Sequence, residues 1–153
     1  MNWDRYEHFS ENEFRCKETG RVEMQESIVE RLQLTRCILQ KPMGVSSGYR
    51  HISHPAERHK GRPGAHTYGH AADIRASGKD ALELLYAALL TSAVEAKLID
   101  VHEARAWLPQ LLKNGFTGIG IQQSAPTQHV ARFIHFDDMP SDVARPRPWL
   151  WSY

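Results

Sequence analysis

Seven positions separate His66 from Asp73, and no regular element brings side chains at that spacing to one point. On a helix they stand too far apart, and on a regular strand they face opposite sides. Only a turn between them aims both at one place, and Gly69 stands where such a turn needs a residue free of steric restriction. Residues 51–66 supply the approach, with two prolines, two glycines, four histidines and little periodicity, the composition of a loop. The run 71–74 is short and apolar and enters a sheet, carrying Asp73 with it. The fold must therefore bend a polar loop back onto a strand.

Periodic segments flank this feature. Ser10 with Glu13 predicts a capping box over a short helical turn at 9–14. Met24, Ile28, Leu32, Thr35 and Leu39 recur at helical spacing and predict an amphipathic helix over 24–40. Residues 45–49 read as a strand bounded by Gly44 and the polar run after Arg50. Ser77-Gly78-Lys79-Asp80 predicts a second capping box, before a helix that buries Leu82, Leu85, Leu89 and Val94. Asp100 with Glu103 begins a third helix, where Pro109 predicts a kink or break and Asn114-Gly115 a left-handed end. Residues 116–121 and 132–138 alternate apolar with small or polar side chains and read as strands, and Trp149, Trp151 and Tyr153 suggest a terminal strand. With no repeat or linker, these elements predict a single α+β domain over 1–153, a small, mainly antiparallel sheet packed against helices.

Composition narrows the function classes. At 153 residues, 41% apolar and 24% charged, the chain has enough material for one hydrophobic core. A formal net charge of +1 argues against a dedicated binder of nucleic acid or anionic membrane, which carries a large basic excess. The same balance disfavours a metal-dependent nuclease built on the 51–70 loop. No run approaches a membrane span, and the acidic opening Met1-Asn2-Trp3-Asp4 lacks the pattern of a secretory signal. Without a sign of export, Cys16 and Cys37 read as free, buried thiols.

The chemistry concentrates in two places. His135 and Asp137 are two apart on a strand and share a face with Phe133, while Arg132 and Asp138 point the other way. A site joining His66, Asp73 and His135 on one metal ion leaves a fourth position for water, the arrangement of a catalytic rather than a structural zinc. Zinc lowers the pKa of its water to about 7, which points to hydrolysis. Asp137 beside the ion would take the proton and return it to the leaving amine. Arg50, at its strand end, suits a tetrahedral oxyanion or a substrate carboxylate. His51, His54, His59 and His70 read as solvated, as do Lys60 and Arg62.

Taken together in this order, Ser47-Gly48-Tyr49-Arg50, His66-Thr67-Tyr68-Gly69-His70-Ala71-Ala72-Asp73, Gly118-Ile119-Gly120-Ile121 and Phe133-Ile134-His135-Phe136-Asp137 resemble peptidase family M15. This is the group of zinc D-Ala-D-Ala carboxypeptidases and murein endopeptidases, and the likeness is to its short phage and bacterial forms. Phe9-Ser10-Glu11-Asn12-Glu13-Phe14-Arg15-Cys16 and the tail Arg147-Pro148-Trp149 extend it over nearly the whole chain. The resemblance implies a fold like that of hedgehog and D-Ala-D-Ala peptidases, with Zn2+ on His66, Asp73 and His135 and Arg50 at the substrate. Many members carry the catalytic carboxylate three residues before the last histidine, where this chain has Arg132; others place a second histidine two before it, where Phe133 stands. The short forms carry an acid two residues after, which implies Asp137 as base, with His129 as the alternative. The implied substrate is a peptidoglycan stem peptide, cut at a D-Ala-D-Ala or L-Ala-D-Glu bond by a monomer. The implied setting is phage lysis or a virion, the enzyme being made in the cytoplasm and reaching the wall after release. A non-catalytic zinc-containing module that binds wall peptides or another protein is the competing expectation.

Overall fold

The segment before the first helix is anchored by aromatic packing. Phe14 is fully buried, with Trp3 stacked on it at 5.3 Å between ring centroids and Phe9 edge-on at 5.7 Å. Phe14 closes the short 3-10 turn Glu11–Phe14, where the Glu13 carboxylate accepts from the Ser10 N–H at 2.8 Å and from its hydroxyl at 3.0 Å. The predicted capping interaction forms, on a tighter helix than expected. This is a computed structural model, describing residues 1–122, 133–138, 140–144 and 146–152. His129 and Arg132 lie outside the described residues.

The chain divides into two compact units, Met1–Arg75 and Ala76–Tyr153. In the first, α1 (Glu26–Leu39) buries Val29, Thr35, Ile38 and Leu39 and ends at Gln40, whose φ of 55° is left-handed. Strands β1 (Gly44–Ser47) and β2 (Asp73–Arg75) pair antiparallel, with a bulge between Val45 and Ser47. Gly48, next along the chain, lies so close to the N-terminal segment that a Cβ there would stand 2.5 Å from the Phe14 Cα. The Tyr49 N–H donates to the Phe14 carbonyl at 2.9 Å. The aromatic anchor thus holds the stretch from which Arg50 departs.

The second unit contains α2 (Gly78–Glu95), α3 (Val101–Asn114) and the strands β3 (Gly118–Gln122), β4 (Phe133–Asp137) and β5 (Trp149–Ser152). The sheet order is β4-β3-β5, with β3 antiparallel to β4 and parallel to β5. The α+β class is as expected, but among the described residues the strands form two sheets, one of them mixed, because β5 runs parallel to β3 instead of reversing. Helix α2 packs on α3 and β5. Its buried stripe runs through Leu82, Tyr86 and Leu90 in steps of four, which turns Leu89 to solvent against expectation. Ser77 stands at the N-cap of α2 without a side-chain bond, so the second predicted capping box does not form.

Helix α3 has the capping box predicted for it: Glu103 N–H to Asp100 Oδ1 and Asp100 N–H to Glu103 Oε2, both 2.8 Å. It runs unbroken through Pro109, which removes one N–H from the ladder without ending it. Gly115 is extended, with φ −87° and ψ −164°, so the expected left-handed end is absent. Cys16 is buried and Cys37 half-buried, both as free thiols. No helix among the described residues is long and apolar enough to cross a membrane.

Candidate metal and substrate site

In the first unit the 64–73 stretch forms the turn that its spacing demands. Thr67 N–H bonds to Gly64 O at 3.0 Å, Gly69 N–H to His66 O at 3.2 Å and His70 N–H to Ala65 O at 2.9 Å. Gly69 has φ +72°, and a Cβ on it would fall 1.9 Å from the Glu23 carbonyl oxygen. Its own carbonyl accepts from Gln25 N–H at 3.0 Å, clipping the turn to the segment before α1.

This turn sets the orientation of His66. Nδ1 lies 2.7 Å from the Gly48 carbonyl, a pure acceptor, so Nδ1 carries a proton, and in the neutral ring Nε2 presents a lone pair. That lone pair faces Asp73 Oδ1 at 3.2 Å. Two acceptors so placed need a shared proton or a cation between them. The backbone bond on the far nitrogen is the usual support of a metal-binding histidine, and imidazole with carboxylate suits a divalent ion. This donor pair fits the zinc expected for it.

Arg50 connects this pair to the loop. Its Nε donates to Ser47 Oγ at 2.8 Å, its Nη2 donates to Asp73 Oδ2, and its Nη1 stands 3.8 Å from Glu57 Oε1. Glu57 is only 2% exposed. Its carboxylate accepts from Lys60 Nζ at 2.7 Å and from the Gly64 N–H at 3.0 Å. The Lys60 ammonium, and after it the Gly64 amide, hold Glu57 below the usual carboxylate range against the opposing push of burial. Lys60, exposed as expected, is also the partner of this acid. The sequence reading missed Glu57; the signal was there, since it is the sole carboxylate in 51–72, beside Arg58, Lys60 and Arg62.

In the second unit β4 presents the other pair. His135 Nε2 lies 3.2 Å from Asp137 Oδ2 on the same strand face, as the period of two requires. Arg147 grips the carboxylate with both arms, Nε to Oδ1 and Nη2 to Oδ2, each 2.9 Å. Both side chains are 13% exposed, and the Asp137 carboxylate raises the already high pKa of Arg147 further. Arg147 entered the sequence reading only as part of the tail; its grip on Asp137 had no sequence signal, since ten residues separate them.

The structure thus brings His66 together with Asp73 and Arg50, and His135 with Asp137. Among the described residues, no three His, Cys, Asp or Glu side chains gather as a metal-binding group. His59 and His70 are exposed as expected, whereas His51 and His54 are half-buried. Against known proteins, a family model described as Peptidase M15 matches residues 7–105. The match takes in Arg50, Glu57, His66 and Asp73 and ends before β3. No curated protein and no solved structure matches the chain.

Proposed function

As this chain belongs to peptidase family M15, we propose that it is a zinc-dependent peptidase that hydrolyses an amide bond in the stem peptides of peptidoglycan. The carrying observation is His66, its Nδ1 held on Gly48 O and its Nε2 turned to Asp73 Oδ1. In this reading His66, Asp73 and His135 hold one Zn2+ within a single functional domain spanning 1–153. When bound, the ion supplies a water that is acidic enough to act as hydroxide near neutral pH.

The chain's own residues then have distinct tasks. The Gly48 carbonyl fixes the His66 tautomer, so that Nε2 stays available. Arg50 orients Asp73 through Nη2 and, held by Ser47, keeps its cationic face toward a substrate oxygen or carboxylate. Asp137 is the proposed proton carrier between the attacking water and the leaving amine, with His129 as the alternative carrier. Asp137 also stands beside His135, where a carboxylate orients the ring. The bond cut is D-Ala-D-Ala or L-Ala-D-Glu, and the chain works as a monomer on the wall after release in phage lysis or from a virion.

The Arg147 grip favours a second reading. Both oxygens of Asp137 already accept from a guanidinium, which favours the ionised carboxylate and opposes its taking up a proton. A zinc-containing module that binds wall peptides without cutting them is consistent with that arrangement.

Metal analysis of the purified protein, with mass spectrometry of sacculi after incubation, tests both readings. We expect His135→Ala to lose the metal, and Asp137→Asn to keep it while turnover falls at least a hundredfold, the scale of a lost proton carrier. Wild-type protein that carries zinc and releases no muropeptide establishes the binding module instead. Release that continues unchanged in both variants refutes the assigned roles.

A further inference from the structure

Two arginines of this chain lie against aspartates, and they do so differently. Arg147 closes on Asp137 as a fork, Nε on Oδ1 and Nη2 on Oδ2. Paired, parallel bonds of this kind are the arrangement that guanidinium and carboxylate favour. Arg50 gives Asp73 a single arm: Nη2 donates to Oδ2, and Oδ1 faces His66 Nε2 at 3.2 Å. Among the described residues Nη1 of Arg50 has no hydrogen-bond acceptor, so another force sets where it points.

That force is the charge of Glu57. Nη1 stands 3.8 Å from Glu57 Oε1, an ion pair without a hydrogen bond. The Glu57 side chain is fully buried and that of Arg50 is 18% exposed, so water screens the attraction little. Gly64 lets the acid sit where it does, since a Cβ there would lie 3.1 Å from both Glu57 Oε2 and Lys60 Nζ. Arg50 and Asp73 line a groove of about 630 Å³, whereas Glu57 does not. The acid therefore acts from behind the wall and touches no ligand.

We propose that Glu57 is a positioning residue for the metal site: its buried charge draws Nη1 of Arg50 away from Asp73, prevents a two-armed grip and so reserves Oδ1 for the cation. The inference rests on the peptidase reading in naming that cation as zinc. A carboxylate with both oxygens bonded to a guanidinium is a poorer metal ligand, because its lone pairs and charge are already shared. Lys60 shares Oε1 of Glu57 at 2.7 Å but forms no ion pair with Asp73, so it separates the two effects of the acid. Removing Lys60 loosens the loop and leaves the charge that faces Arg50.

Glu57→Gln keeps the shape and removes that charge; Lys60→Met does the reverse. Zinc affinity, measured by competition with a chromophoric chelator, falls about tenfold in Glu57→Gln and changes less than about twofold in Lys60→Met, the first being the scale of a lost outer-shell partner. In an Arg50→Met background, Glu57→Gln changes the affinity less than about twofold, because the arm that it restrains is gone. Crystal structures of the metal-free wild type and Glu57→Gln read the contact itself, with Arg50 on one oxygen of Asp73 in the first and on both in the second. If wild type takes up no zinc and cuts no stem peptide while the contact changes in this way, the positioning role stands and the peptidase reading fails. The same one-armed contact in both structures, equal losses of affinity in Glu57→Gln and Lys60→Met, or the full loss persisting without Arg50 overturns the positioning role.

Discussion

Replacing Glu57 tests whether a buried acid holds the loop that leads into His66. The side chain is 2% exposed and accepts from Lys60 Nζ at 2.7 Å and Gly64 N–H at 3.0 Å. In Glu57→Gln the shape stays and the charge goes. A hydrogen bond to a charged group is worth about 1.5–3 kcal/mol and a neutral one about 0.5–1.5; the two donors use different oxygens and an amide keeps only one acceptor, so one bond weakens and the other is lost, removing about 2–4 kcal/mol. Burying an amide costs less than burying a carboxylate, which returns part of this and leaves a net loss of about 1–3 kcal/mol. Glu57→Ala leaves a cavity and an unsatisfied Gly64 N–H as well, for a loss of about 3–4 kcal/mol. At 2–4 °C per kcal/mol for a chain of this size, the alanine variant melts roughly 10 °C lower. Urea unfolding followed by circular dichroism measures the loss, and exchange of the Gly64 amide locates it.

The pH dependence has a definite sign. The folded pKa of Glu57 lies below its ordinary 4.5, so the unfolded chain takes up this proton first as pH falls. The stabilisation from its charge is complete above pH 4.5 and is lost as pH falls from there through the folded pKa. The gap between wild type and Glu57→Gln is therefore constant from pH 6 to 8 and narrows on acidification. A glutamine variant as stable as wild type at pH 7, or a gap that stays the same down to pH 3, refutes the clamp.

Other substitutions probe the supports of the site. Gly69→Ala places a Cβ 1.9 Å from the Glu23 carbonyl at φ +72°, so we expect a loss of at least about 3 kcal/mol, measured by urea midpoint. Gly48→Ala meets the Phe14 backbone at 2.5 Å and should loosen the N-terminal segment, read as lost protection of the Tyr49 amide. Arg147→Ala strips both donors from a carboxylate that is 13% exposed, at a cost of roughly 3 kcal/mol; a double-mutant cycle with Asp137→Asn should recover most of it as coupling. Leu82→Ala, at a fully buried position, should cost about 2–5 kcal/mol in thermal unfolding.

Local chemistry in the sequence determined a good deal of this protein. Helical periodicity located α1 within two residues at either end, because an apolar stripe of period 3.6 has no other use in water. The Asp100 and Glu103 pair set the start of α3, since both partners of a capping box lie within one turn. The positive φ at Gly69 was readable for the same reason: seven residues from His66 to Asp73 leave only a turn. The family, too, was legible in motifs that stand in order along the chain.

Tertiary structure decided what depends on residues distant in sequence. It joined β5 to β3 in parallel, committed the His66 Nδ1 proton to Gly48, and gave Asp137 to Arg147 rather than to solvent. It also turned Glu57 from a loop residue into a buried acid bonded to Lys60 and the Gly64 amide. Each of these is a long-range or loop-borne contact of a polar atom. Periodicity records which faces are apolar, but a polar atom's partner is chosen only when the folded chain brings a donor and an acceptor within about 3 Å.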